Sequence, residues 1–233
     1  MVVRTVDLAN PFLPSLDGVC EILLVRHGEQ AYSENMALGD GMNPPLSDLG
    51  KRQAEAVGER LSQGAIDAVY CSTLERAAST GAAIANRHGI EPIGMDEIVE
   101  FDMWRDLPQD KGLLDSIGKD ELRAIYREGN RTRRWDAYVY GEPRDEFRAR
   151  VIGAVDKIAA NHHGDRVVVA CHGGVITTYL SHLFGSPHDQ VVSVHHTSIT
   201  TVRAMGKLRR VIAVNDYHHV LAFQDEINPL NVV

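Results

Sequence analysis

The chain has 233 residues, 44% hydrophobic and 24% charged, with a formal net charge of −8. That length and balance suit one sizeable core, or one core with a small cap, and argue against wholesale disorder. The acidic balance argues against a broad nucleic-acid or anionic-membrane surface, but a small anionic ligand can still be met by a local arginine cluster.

No apolar run approaches the ~20 residues that span a bilayer, and Asp7, Asn10, Pro11 and Pro14 interrupt any signal-peptide pattern. Cys20, Cys71 and Cys171 are too few and too scattered for a disulfide framework or a zinc knuckle. They read as buried thiols, which fits a reducing cytoplasm.

Residues 1–19 form an irregular lead-in broken by Pro11, Pro14 and Gly18. Residues 20–26 are a short apolar run, the mark of a strand buried on both faces. A Gly/Pro/Asn-rich loop follows from about Ser33 to Leu46, and Ser47 caps a helix that runs to about Ser62. A second strand covers 66–71, and a second helix runs from Leu74 to His88 with Gly89 as its stop. From Glu91 to Gly141 the pattern breaks into short, charged, amphipathic pieces, which reads as a cap inserted in the main domain. Pro143 then opens a helix with Phe147, Val151, Val155 and Ile158 at helical spacing. Residues 166–171 form a third strand, followed by an apolar helix from Gly174 to Phe184, and 198–205 and 208–215 flank Gly206-Lys207 as a hairpin. This order predicts a single domain over 20–233 of α/β class. The expected architecture is a three-layer α/β/α sandwich with a mostly parallel central sheet, an antiparallel edge strand and a small helical cap insertion.

One echo carries the functional reading. Two buried strands each end in His-Gly, at Arg26-His27-Gly28 and at Cys171-His172-Gly173-Gly174. Ligand crevices of open parallel sheets lie beyond the carboxyl ends of the strands, so both imidazoles point to one rim. A neutral histidine with one nitrogen held and the other free is a nucleophile near neutral pH. A phosphoryl group needs its negative charge offset, and Arg26 and Arg76 supply forked cations close to strand ends. His172 adds a donor if protonated, and the helix opening at Gly173-Gly174 presents backbone amides.

At this point the chain resembles the histidine phosphatase superfamily, the phosphoglycerate-mutase-like proteins. The resemblance is carried by Leu24-Val25-Arg26-His27-Gly28-Glu29, by Asn43-Pro44-Pro45-Leu46-Ser47 with the following helix, and by Tyr70-Cys71-Ser72-Thr73-Leu74-Glu75-Arg76. Gly141-Glu142, Ala170-Cys171-His172-Gly173-Gly174 and Thr197-Ser198-Ile199-Thr200 continue it in the family's order. It implies that His27 becomes the phosphohistidine, and that Arg26, Arg76 and His172 hold phosphate with an amide from Gly173. Gly28 and Ser33 join the substrate-binding set, with Asn35 as a further phosphate contact. The general acid falls in Asp96-Glu97-Ile98-Val99-Glu100-Phe101-Asp102-Met103-Trp104. Glu100 aligns best, Trp104 stands where the family has Gly, and Glu97 and Asp102 stay open. The implied enzyme is a phosphatase acting on a phosphorylated small molecule, with no cofactor or metal, no nucleic-acid or membrane partner, and a homodimer as the family-level expectation. A phosphoglycerate-mutase-type transferase is the alternative, and a non-catalytic phospho-ligand scaffold is disfavoured because all four pocket residues are present.

The doublets His162-His163, His195-His196 and His218-His219 read as surface or loop histidines, because adjacent side chains diverge in a strand. His195 and His196 alone sit where they could reach the rim. Arg123, Arg127 and Arg131 form one solvated helix face, while Arg133 and Arg134 are candidates for a second anionic group of the substrate.

Overall fold

The computed structural model describes residues 18–31 and 37–226. The lead-in up to residue 17 and the expected phosphate contacts Ser33 and Asn35 lie outside that range. Strands β1 (Cys20–Arg26), β2 (Ala68–Ser72), β3 (Ile93–Met95), β4 (Arg166–Cys171), β5 (Ile199–Met205) and β6 (Leu208–Asp216) form one sheet in the order β3-β2-β4-β1-β5-β6. The first four in that order run parallel, whereas β5 is antiparallel to β1 and β6 to β5. The expected α/β class and mostly parallel sheet are therefore present, with the antiparallel strand one place in from the edge.

The helices are α1 (Leu38–Met42), α2 (Asp48–Leu61), α3 (Glu75–His88), α4 (Leu113–Ser116), α5 (Lys119–Thr132), α6 (Arg144–Asn161) and α7 (Gly173–Phe184). Side chains of β1 alternate between two cores. Ile22 and Leu24 pack with Val151 and Val155 of α6 and Ile176 and Leu180 of α7, while Leu23 and Val25 pack with Val57 of α2 and Ile84 of α3. Each such side chain contributes about 1.5–3 kcal/mol on burial. Both faces of the strand are consequently covered, which is why its sequence is apolar throughout.

Two-sided burial leaves the register of β1 without an in/out signal. A charge supplies it: Glu21 lies opposite Arg166 of β4 and Arg203 of β5, and its carboxylate pairs with them at 2.9 and 2.8 Å.

The stretch read as a cap contains more order than its pattern suggests. Ile93–Met95 forms the sheet's outer strand β3, and α5 runs for 14 residues. The loop before Ser47 likewise holds the short helix α1, whose first amides are taken by distant carbonyls, Leu38 N–H by Lys111 and Gly39 N–H by Gln109 at 2.9 and 3.0 Å. Ser47 caps α2 as expected, its hydroxyl accepting from Gly50 N–H at 2.9 Å.

The start of α2 is clamped to the loop after β1. Ser47 donates to the Glu29 carboxylate at 2.9 Å and Glu29 N–H donates to Gln53 at 2.8 Å. Between these bonds the backbones of Gly28–Glu29 and Gly50 meet so closely that a Cβ on Gly28 or on Gly50 would enter the other segment's backbone. Gly50→Ala is therefore expected to destabilise by about 1–3 kcal/mol or more, because neither backbone can yield. Gly153, exposed in α6 with open space about it, should gain about 0.5–1 kcal/mol on replacement by Ala. Urea unfolding of both variants measures the contrast, and equal effects of one sign would discredit the clamp.

Candidate active site

β1 and β4 end side by side, with Arg26 opposite Cys171, so the next residues, His27 and His172, stand together at the rim. Their ring centroids are 5.0 Å apart. His27 N–H donates to the Cys171 carbonyl at 2.9 Å, which carries the pairing one residue beyond the strand.

The His27 ring is fixed at both nitrogens. Nδ1 lies 2.7 Å from the Gly28 carbonyl, which can only accept, so Nδ1 carries the proton. Nε2 then holds a lone pair, and Arg76 Nε–H donates to it at 3.2 Å. Gly28 N–H is itself anchored on Thr80 at 3.1 Å, so both backbone polar groups of Gly28 bear on how the His27 ring is held. Arg76 is further held through Nη1 by the Met42 carbonyl at 2.9 Å, and Arg26 through Nη1 by the Val194 carbonyl at 2.6 Å.

His172 is fully buried, with Nε2 2.8 Å from Ser72 Oγ. Its Nδ1 and the Nε of Arg26 are buried without a hydrogen-bond partner. Such orphaned donors and acceptors are costly and rare, and they mark where a ligand is awaited. Burial pushes the Arg26 guanidinium down to about 10, with the Glu100 carboxylate opposing that shift and Arg76 adding to it. Arg76 is lowered by the same burial and likewise supported by Glu100. Both cations persist at neutral pH. Burial first holds both His27 and His172 well below the ordinary imidazole value, followed for His27 by neighbouring imidazole and guanidinium groups and for His172 by the guanidinium groups of Arg76, Arg26 and Arg150.

Among the three carboxylates left open by the sequence, the structure brings Glu100 to this cluster. Its side chain accepts from Gly174 N–H in the first turn of α7 at 3.0 Å and from Phe101 N–H at 2.9 Å. Gly174 has no room for a Cβ, which would collide with that carboxylate and then with Trp135. Arg150 secures the loop from behind, donating to the carbonyls of Glu97, Val99 and Glu100 at 3.0, 2.6 and 3.2 Å and to the Glu142 carboxylate. Glu97 is exposed, and Asp102 accepts from Trp104 N–H at 3.2 Å, turned into its own loop. Gly173 stands beside the Arg26 side chain, and the Gly174 amide is the one engaged by Glu100.

Sequence reasoning undervalued His196. Its ring is 8% exposed and its centroid lies 5.6 Å from that of His27. The missed signal is topological: β5 begins at the rim where β1 ends. The turn after His196 is made by Thr197 at a left-handed φ of 57°, a conformation that costs a β-branched residue about 1–3 kcal/mol. Thr197 N–H pays for this by donating to the carbonyls of Arg26 and His27 at 3.0 and 3.3 Å. His195 stacks on Tyr217, and His219 meets Thr197 Oγ1 at 3.3 Å. Neither these imidazoles nor any other set of three or more His, Cys, Asp or Glu among the described residues is arranged to hold a metal ion. Arg123, Arg131 and Arg134 pair with Asp120, Glu128 and Asp136 on the surface. Among the described residues no helix is long and apolar enough to cross a membrane.

The profile of the Histidine phosphatase superfamily (branch 1) matches residues 22–217. The chain is 32% identical over 187 residues to Phosphoglycerate mutase-like protein 4 of Arabidopsis thaliana, covering 78% of this chain and 79% of that protein. It is 30% identical over 160 residues to Phosphoserine phosphatase 1 of Hydrogenobacter thermophilus, covering 65% and 70% respectively. In fold it is similar to the crystal structure of phosphoglycerate mutase from Bacillus anthracis, with a TM-score of 0.69 at 20% identity, over 88% of this chain and 96% of that one.

Because His27, His172 and His196 are held below their ordinary value of 6.5 when folded, the unfolded chain takes up protons that the folded one refuses. Stability should be full above about pH 6.5 and fall as pH drops below it, each imidazole adding up to about 1.4 kcal/mol per pH unit. Urea unfolding between about pH 7.5 and pH 5 tests this. A pH-independent midpoint over that interval would contradict burial of neutral imidazoles.

Proposed function

The chain belongs to the histidine phosphatase superfamily, and we propose that it hydrolyses a small-molecule phosphomonoester through a phosphohistidine on His27. The observation that carries this reading is the state of His27: Nδ1 engaged by a carbonyl, Nε2 bearing a lone pair, and two buried guanidinium groups alongside. Phosphatase-named relatives, among them the phosphoserine phosphatase, support hydrolysis.

In the first step His27 Nε2 attacks phosphorus, taking over the place of the Arg76 N–H that rests on it in the free site. A P–N bond forms as the P–O bond to the leaving oxygen breaks, and the Glu100 carboxyl delivers its proton to that oxygen. Arg26, Arg76 and His172 stabilise the charge on the non-bridging oxygens. In the second step water attacks the phosphohistidine, Glu100 takes its proton, and the P–N bond breaks to give inorganic phosphate and free His27. The buried, free cysteines support a reducing, cytoplasmic setting for this chemistry.

The mutase reading shares the first step and differs in the acceptor, a second hydroxyl in place of water. The relation to a phosphoglycerate-mutase-like protein keeps it in view. Incubation with 3-phosphoglycerate separates the two: free phosphate is expected, and isomerised product without phosphate would overturn the hydrolase reading.

Two variants test the mechanism on an aryl phosphate and on a panel of cellular phosphomonoesters that includes phosphoserine. His27→Ala should abolish phosphate release and the acid-labile phosphoenzyme trapped by rapid acid-free quenching. Glu100→Gln should lower kcat by about 10²–10⁴-fold on alkyl phosphates; with an aryl phosphate, whose leaving group needs no proton, phosphoenzyme formation should be little affected while its hydrolysis slows, so the phosphoenzyme accumulates. Full turnover by the His27 variant would refute the covalent mechanism.

A further inference from the structure

The sheet flanks the nucleophile on both sides. β1 ends in His27, and its two neighbours reach the same rim, β4 as it ends before His172 and β5 as it begins after His196. The ring of His172 is centred 5.0 Å from His27 and that of His196 5.6 Å. His172 has a fixed partner in Ser72, whereas the His196 ring has no hydrogen bond to any described residue. Neither of its nitrogens is fully sealed from solvent in the way that Nδ1 of His172 is, although the residue as a whole is buried. An imidazole kept only for packing would be expected to have its polar atoms satisfied or turned to bulk water.

The placement of His196 is also built. The left-handed Thr197 holds the turn by three bonds, two from its N–H to the carbonyls of Arg26 and His27 and one from its hydroxyl to the His196 carbonyl at 2.7 Å. Strain of this kind persists where the surroundings over-determine it, and it clusters at ligand sites. The groups facing the ring are Arg26 at the end of β1, Arg76 of α3, His195 and His27, so its surroundings are cationic and short of anions. Burial first, and then the Arg26, His195 and Arg76 groups, keep the imidazole neutral in the free site, with one N–H to donate.

We propose that His196 is a phosphoryl-binding residue, whose ring N–H donates to a non-bridging oxygen of the group carried on His27. It would close the cradle on the side of the nucleophile opposite His172, with Arg26 and Arg76 supplying the charge. The inference deepens the phosphatase reading and rests on it for the covalent step, but its anion-binding part can be tested without turnover.

Inorganic phosphate is titrated calorimetrically into the full chain and into His196→Leu and His196→Asn, with thermal unfolding of each in parallel. His196→Leu should weaken phosphate binding about tenfold or more and lower kcat on an aryl phosphate about 10²-fold, without lowering Tm. His196→Asn, which keeps an N–H donor, should recover a large part of the phosphate affinity. Should His196→Leu fail to fold, histidine ¹⁵N spectra of the wild-type chain serve instead, and phosphate must move the His196 ring nitrogens. Unchanged phosphate affinity in a folded His196→Leu, or unmoved ring nitrogens, would overturn the assignment. A chain that binds phosphate in a His196-dependent way yet hydrolyses no phosphomonoester would leave this inference standing and remove the phosphatase reading.

Discussion

The parallel pairing of β1 with β4 is the constraint on which the site depends. Neither His27 nor His172 has a function to offer alone, and 145 residues separate them in the chain. They meet because Arg26 lies opposite Cys171, and that register is marked at the far end of the same strands, where Glu21 lies between Arg166 and Arg203. A slip of one residue would exchange the two faces of β1 and separate the imidazoles. The end of the sheet away from the chemistry thus carries the ion pairs that align it, and the end with the chemistry is free to be strained.

What the sequence revealed follows from how local each signal was. Continuous apolar runs at β1 and β4, the Ser47 cap and the Gly89 stop are short-range features, and each element appears with its ends within a residue or two of the pattern. β3 has three residues, two of them exposed, and no periodicity can announce it. α1 exists because Gln109 and Lys111 accept its first amides, a fact invisible in its own residues. His27, His172 and the two arginines were legible for a similar reason, since each lies at or within a few residues of a strand end. His196 was not, because its approach to His27 depends on β5 beginning at the rim where β1 ends, a long-range fact that the doublet itself does not carry.

The carboxylate shows a third kind of legibility. Alignment favoured Glu100, yet nothing near it in sequence says how it is held. Its anchors come from α7 through the Gly174 amide and from α6 through Arg150, which grips three carbonyls of the loop. Trp135 packs on the same glycine from the middle segment, joining that segment to the pocket by contact with the acid's support. The orphaned Arg26 Nε and His172 Nδ1 complete the picture of a pocket whose donors are arranged before any anion arrives. Such preorganisation is what electrostatic stabilisation of a transferring group requires.

The meeting of Gly28–Glu29 with Gly50 has a bearing on redesign. Two bare backbones locked together leave the His27 loop and the head of α2 unable to move independently, so variation there disturbs the setting of His27 itself. The segments around Met103–Arg105, Leu113–Leu114 and Val139, with half-covered or exposed side chains, carry no such lock. Under the proposed phosphatase reading, a library aimed at selectivity should hold the two glycines constant and place its diversity in segments that carry no such lock.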